Sequence, residues 1–261
     1  MVKIRLIPII YIKNGFIVRS ENFSEFKIIG NVVNEVKRYN HWDIDELVCI
    51  DISREKYFDS KRDDHKIQRV SSLYEILELI SKECFMPLSF GGGIRDLDTI
   101  KYFLKNGADK IIVNTLLFKD PSIIQKALKI FGSQAIVASL DYKLKNNEIV
   151  FYIENGQEEI KMGFSEVLKH IESLGCGEIL LTSIDRDGSG EGYDINSITK
   201  TIQASNLPLI ACGGAIDTYD FEEAAKIKNI SGIAAGNMFH FTENIYPRSK
   251  KYLKGQNLNF R

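Results

Sequence analysis

The chain is 261 residues long, 44% hydrophobic and 26% charged, enough apolar material for a sizeable buried core and too much for a disordered polymer. Its 34 Lys and Arg against 35 Asp and Glu give a net charge of −1, which removes any broad electrostatic basis for binding nucleic acid or an anionic membrane and leaves small anions as the charged ligands to expect. The longest apolar run, within residues 5–13, is far short of the roughly 20 residues of a membrane helix, no cleavable leader follows Met1, and Cys49, Cys84, Cys176 and Cys212 form no CxxC pair, so the expectation is a cytoplasmic protein with buried free thiols and neither metal nor cofactor.

In chain order, an apolar strand over residues 4–10 is followed by an amphipathic helix over 31–41, a strand over 47–50, and a strongly charged stretch over 53–65. A helix over 67–83, a strand over 87–90, a helix over 96–106 that opens on an acidic cap and stops at Gly107, and a strand over 110–113 complete the first half. The second half continues with a helix over 121–131, a strand over 135–140, an insert over 143–161 whose residues 149–153 read as part of a hairpin, and a helix over 163–174. Strands over 178–182, 207–211 and 232–235 then alternate with helices over 196–205, 217–228 and 243–253. Short apolar runs without strict alternation are the mark of strands covered on both faces. Eight such strands alternating with eight helices have the size and order of a (β/α)8 barrel, a TIM barrel.

The two halves resemble each other. Residues 87–96 (PLSFGGGIRD) and 208–217 (PLIACGGAID) share a strand, a glycine pair and an acidic helix start at an offset of 121. Residues 46–51 (ELVCID) echo 178–185 (EILLTSID), and residues 7–11 (IPIIY) echo 137–141 (VASLD). A barrel assembled from two half-barrels predicts this repeat. Two doubly wound domains would also give it, but no Pro/Gly/Ser-rich linker lies near the midpoint, so one domain over residues 1–261 is expected.

Barrel chemistry sits at the C-terminal strand ends, which makes the polar residues and glycines after each apolar run the candidates. Gly91–Gly93 and Gly213–Gly214 let backbone N–H groups approach a ligand and lead into helix N-termini, and Asn114-Thr115 and Gly236-Asn237 follow the next strand in each half. One glycine pair alone most often makes only a tight turn; the symmetric pair reads as two cradles for a ligand phosphorylated at both ends. Asp51, Asp141, Asp185 and Asp187 all fall at or just beyond strand ends. A carboxylate between apolar strand ends can serve as general acid or base, and Asp141 is placed for it. Its half-barrel counterpart is Tyr11, a good hydrogen-bond donor and a poor base. At the other end of the strands Arg5, Glu46, Lys110 and Glu178 each begin a run, two cations and two anions that either close a ring or form ordinary strand-end ion pairs.

Residues 183–188 (SIDRDG), 131–135 (FGSQA), 91–95 (GGGIR), 177–183 (GEILLTS) and 239–241 (FHF) resemble the cyclase subunit of imidazole glycerol phosphate synthase, and the similarity runs from about residue 5 to residue 253. The resemblance implies a barrel that takes ammonia from a glutaminase subunit on its N-terminal face and passes it up the interior to phosphoribulosyl formimino-aminoimidazole carboxamide ribonucleotide. It implies a gate at Arg5, Glu46, Lys110 and Glu178, phosphate sites at Gly92, Gly93, Asn114, Thr115, Gly213, Gly214, Gly236 and Asn237, a catalytic acid at Asp141, and substrate contacts at Asp185 and Asp187. The chain departs from that pattern at Tyr11, where the family has a catalytic Asp, at Arg19, where it has a Lys on the first mobile loop, and in the length of the charged insert. Three readings stay open: an authentic cyclase with Tyr11 as a substituted proton donor, a paralogue that delivers ammonia to another acceptor such as a surface sugar, and a non-catalytic activator of the glutaminase.

Overall fold

The structure, a computed structural model, describes residues 3–54 and 70–261. Beyond Arg54, the charged stretch expected over 53–65 lies outside the described residues, as do residues 67–69 of the helix expected over 67–83. The described chain forms β1 (Arg5–Lys13), β2 (Phe16–Glu21), β3 (Glu25–Gly30), α1 (Val32–Trp42), β4 (Leu47–Asp51), α2 (Leu73–Glu83), β5 (Leu88–Gly91), α3 (Leu97–Lys105), β6 (Lys110–Val113), α4 (Leu116–Lys119) and α5 (Pro121–Phe131). It continues through β7 (Ile136–Lys145), β8 (Glu148–Ile153), β9 (Glu158–Glu159), α6 (Phe164–Leu174), β10 (Glu178–Ser183), α7 (Ile195–Ala204), β11 (Leu209–Cys212), α8 (Thr218–Ala225), β12 (Gly232–Ala235), α9 (Asn237–Phe241) and α10 (Ile245–Gly255).

Strands β1, β4, β5, β6, β7, β10, β11 and β12 are the eight expected from the sequence, and they pair in parallel around a closed barrel. Closure is made by β12 on β1, with Gly232 opposite Arg5, and by β10 on β7, with Thr182 opposite Asp141. Each strand is buried on both faces, which is why the apolar runs lack a clean alternation. On β1 the two-residue period sorts Ile7, Ile9 and Tyr11 into the barrel interior and Leu6, Ile10 and Ile12 into the layer against the helices. Val48, Ile112, Val137, Leu180, Ile210 and Ala234 fill the interior from the other strands. Helix starts follow side-chain capping: Ser72 accepts from Glu75 N and fixes the start of α2, six residues later than the amphipathic pattern begins, while Asp96 caps α3 at Thr99 N (2.7 Å).

The sequence pattern missed a β-hairpin. After the barrel portion of β1 the strand runs on into β2 and β3 through a two-residue turn at Asn14-Gly15, both in the left-handed region (φ 49° and 83°). Arg19, expected on a loop, therefore sits on β2. The expected insert after β7 is a hairpin of the same kind, turning at Asn146-Asn147 (φ 51° and 64°). Antiparallel pairing begins at Tyr11 opposite Val18 in one half and at Asp141 opposite Tyr152 in the other, so the repeat read from the sequence extends to the hairpins.

α10 is fastened to the N-terminal end of β1 by buried Asp45, which accepts from Leu6 N (3.0 Å) and Lys250 Nζ (2.5 Å). The Tyr246 hydroxyl accepts from Asp45 N and donates to Leu6 O. Asp45→Ala leaves a strand N–H and a half-buried ammonium unpaired, and the expected loss is about 3–5 kcal/mol in urea unfolding. A loss under about 1 kcal/mol would mean that water replaces the carboxylate.

Candidate active site

The parallel strands direct their C-terminal ends to one mouth, which holds a cavity of about 660 Å³. Tyr11 from β1, Asp51 from β4, Asp141 from β7 and Thr182 from β10 line it, and Gly92, Gly93, Asn114 and Thr115 reach it from the loops after β5 and β6. Burial pushes the Asp141 carboxyl up to about 7; the Ser139 hydroxyl (3.4 Å) and Thr182 pull it back, and nearby Asp187 adds to the rise. A group that titrates there gives and takes protons at neutral pH. Burial, followed by the Cys212 thiol, Asp187 and Asp141, holds the Tyr11 phenol well above its usual value. The phenol is neutral and hydrogen-bonds to Cys212, whose thiol burial pushes up to about 12. Asp51, also buried, is raised by desolvation to about 6 against a hydrogen bond from Ser53 Oγ (2.7 Å).

The two glycine pairs occupy equivalent places. Gly92 (φ 98°) and Gly213 (φ 101°) lie against the last residue of the preceding barrel strand: a Cβ would fall 2.0 Å from Asp51 O in one case and 2.7 Å from Ser183 O in the other. A Cβ on Gly214 would fall 2.0 Å from Gly192 O. Only glycine satisfies both the backbone angle and the close approach. Gly213, Gly214, Gly236 and Asn237 stand on the far side of the mouth and do not line the cavity on the Gly92 side.

Several expected ligand contacts also hold the hairpins. Asn114 Nδ2 donates to Ser139 O (3.0 Å), Tyr152 O (3.3 Å) and Asp141 Oδ2 (3.4 Å), and Thr115 Oγ1 accepts from Glu154 N. Asn237 Nδ2 donates to Ser20 O (2.9 Å). Asp187 is buried, accepts from Ser20 Oγ (2.5 Å) and Phe23 N, and so fastens the β2–β3 hairpin; desolvation raises its carboxyl. Asp185 is exposed and accepts from Leu144 N (2.8 Å) near the turn of the β7–β8 hairpin, so three of the four expected carboxylates are buried and the fourth braces a strand. Arg19 pairs with Glu21 and lies over the Phe241 ring.

At the opposite end of the barrel the four strand-start charges form a ring. Arg5 binds Glu46 (2.5 Å) and Glu178, and Lys110 binds Glu46 and Glu178, each at 3.1 Å. Ser89 Oγ donates to Glu46 (2.7 Å). Although burial alone would raise Glu46, Arg5 and Lys110 hold its carboxyl below the usual range; Arg5 is raised by its two carboxylates despite desolvation. The expected ring is therefore closed, with alternating sign around the barrel axis. Sequence reading missed Cys212 as the neighbour of Tyr11; that pairing has no spacing signal, because it depends on the barrel bringing β1 and β11 together.

A family model described as histidine biosynthesis protein matches residues 5–244. The chain is 36% identical to the imidazole glycerol phosphate synthase subunit HisF of Hydrogenobaculum sp. strain Y04AAS1 over 98% of both chains. It is 34% identical to the HisF subunit of Alkaliphilus metalliredigens over the full length of both. It is also 35% identical to the putative imidazole glycerol phosphate synthase subunit hisF2 of Vibrio vulnificus, over 100% of this chain and 92% of that one.

The raised Asp141 carboxyl has a consequence for stability. Its folded value of about 7 exceeds the unfolded value of about 3.9, so the native state binds the proton more tightly and stability falls as pH rises from about 4 through 7. Asp141→Asn is expected to gain roughly 2–4 kcal/mol in urea unfolding at pH 8, a gain that shrinks toward zero at pH 4. No gain at pH 8 would show that the carboxylate is not desolvated.

Proposed function

The chain belongs to the histidine biosynthesis protein family, and on that premise we propose that it is a cyclase subunit of the imidazole glycerol phosphate synthase type, fed with ammonia by a glutaminase subunit docked on its N-terminal face. The observation that carries this reading is the alignment on one axis of a closed charge ring, an apolar interior and a cavity with titrating acids. Ile7, Ile9, Val48, Val137, Leu180 and Ala234 separate the ring from the cavity. Such a lining admits neutral ammonia and rejects ammonium, whose desolvation costs far more. The ring excludes water while closed. Lys110, more exposed than Arg5 (24% against 14%), is the member with the freedom to swing aside.

At the mouth, the glycine pairs and the residues after β6 and β12 hold the two phosphates of the substrate. Ammonia adds to the substrate carbonyl, water leaves, the formimino bond to the aminoimidazole carboxamide ribonucleotide breaks, and the imidazole ring closes. Asp141 transfers protons in this sequence, and Asn114 orients it.

Tyr11 favours a second reading. A buried neutral phenol hydrogen-bonded to a thiol does not replace a carboxylate as a base, which supports a paralogue that delivers ammonia by the same route to another acceptor, such as a surface sugar. Excess ammonium with the ribulosyl ribonucleotide, followed by absorbance, separates the two without the partner. Turnover by the natural sequence supports the cyclase; no turnover, with some restored by Tyr11→Asp, supports the other acceptor. In the cyclase case Asp141→Asn is expected to lower kcat by about 10²–10⁴ under saturating ammonium. Pull-down and glutamate release with the co-encoded glutaminase test the docking; no binding and no stimulation would end the channel reading.

A further inference from the structure

Resting on the cyclase reading, we infer that Tyr11, Cys212 and Thr182 form a holding site for one molecule of neutral ammonia where the barrel interior opens into the cavity. Barrel register brings the three together. Thr182 on β10 lies opposite Asp141 on β7 to one side and opposite Cys212 on β11 to the other. The two-residue period turns all three side chains inward, because Val137, Leu180 and Ile210, each an even number of positions earlier on the same strands, fill the interior. Tyr11 reaches the same place from β1, its ring passing beside Gly236, where a Cβ would stand 3.9 Å from Tyr11 Cε2. The ring is buried and held edge-on by Phe23, with centroids 6.2 Å apart and planes at 71°.

These residues stand at a junction. Tyr11 and Cys212 belong to one interior cluster with Ile7, Ile9, Val137 and Leu180, while Tyr11, Thr182 and Asp141 line the cavity above it. The phenol and the thiol are thus the polar groups with which the aliphatic stack ends.

Their hydrogen bonding leaves capacity for a ligand. The phenol engages the Cys212 thiol, and the Thr182 hydroxyl bonds both that thiol and the Asp141 carboxyl. Sulfur is a weak donor and a weak acceptor, so a buried phenol with a thiol for a partner gains by exchanging it for a stronger acceptor. The lone pair of ammonia is such an acceptor. With the phenol O–H donating to nitrogen, the N–H groups are left for the Thr182 oxygen, the Cys212 sulfur and the Asp141 carboxylate. Acidity favours the same occupant, because burial holds the phenol well above its usual value and the thiol at about 12, which makes both weaker acids than ammonium. Neither protonates ammonia, and the nitrogen keeps the lone pair with which it attacks.

The test uses the full chain with saturating ribulosyl ribonucleotide and varied ammonium, so that no partner is required, with KM expressed as free ammonia. Tyr11→Phe keeps the ring and removes the hydroxyl. Its KM for ammonia is expected to rise about three- to tenfold, the loss of one neutral hydrogen bond, while KM for the ribonucleotide stays within about twofold. Cys212→Ser puts a stronger partner on the phenol in competition with ammonia, and KM for ammonia is expected to rise about threefold or more. A merely structural role for these side chains would not single out one of the two constants. Tyr11→Phe with KM for ammonia within about twofold of the natural chain overturns the site, which would then hold water or nothing, and leaves the cyclase reading standing. Absence of turnover by the natural chain overturns both. Should Tyr11→Phe fail to fold, Cys212→Ser decides, and an unmoved KM for ammonia overturns the assignment.

Discussion

Burial of charge without a nearby countercharge is the constraint on which this structure turns. A carboxylate taken from water into a barrel of apolar strands loses several kcal/mol of hydration unless cations or hydrogen bonds compensate it. The two ends of the barrel treat that cost in opposite ways. At the N-terminal end Glu46 and Glu178 are neutralised by Arg5 and Lys110, and Glu46 is a stable anion. At the C-terminal end Asp51 and Asp141 accept, among the described residues, from neutral donors only, and both are raised toward neutrality. One end is an electrostatic closure and the other holds carboxyls raised by burial, although both are carboxylates at strand ends.

Parallel closure is what separates these environments. Because all eight strands run the same way, residues at strand starts collect at one rim and residues at strand ends at the other, with aliphatic side chains stacked between them. The same period places Ile7, Ile9 and Tyr11 on one line up the interior. Tyr11 is thus both the top of the apolar stack and part of the cavity lining. A carboxylate there would be flanked by Asp141 and Asp187, whereas a neutral phenol adds no charge to that already repulsive neighbourhood.

The half-barrel symmetry is a symmetry of backbone rather than of chemistry. Gly92 and Gly213 press on the ends of β4 and β10, and hairpins grow from β1 and β7 at Tyr11 and Asp141. The side chains at those paired positions differ: a phenol faces a carboxylate across the pseudo-symmetry, and Asp51 matches Ser183 where the glycines make their contacts. A duplicated scaffold supplies two equivalent glycine turns and leaves each half free to carry different side chains at the matching positions.

The eight strands and their helices were legible in the sequence because strand burial and helix amphipathicity are local, periodic properties, and the glycine pairs because close backbone approach admits no other residue. The β1–β2 hairpin was also signalled, by Asn14-Gly15 between β-rich runs, but the turn was masked by the length of the apolar segment that precedes it. Ring closure was anticipated from the strand-start positions of Arg5, Glu46, Lys110 and Glu178, whereas the contacts themselves needed the barrel to bring residues 5, 46, 110 and 178 together. The sequence by itself determined the elements, their order and the residue types at each strand end. Only the tertiary structure decided how four similar carboxylates differ, because a pKa depends on desolvation and on neighbours that are distant in the chain: burial raises Asp51, Asp141 and Asp187, of which Asp141 lines the cavity beside Thr182 and Asp187 holds a hairpin, while Asp185 stands in solvent.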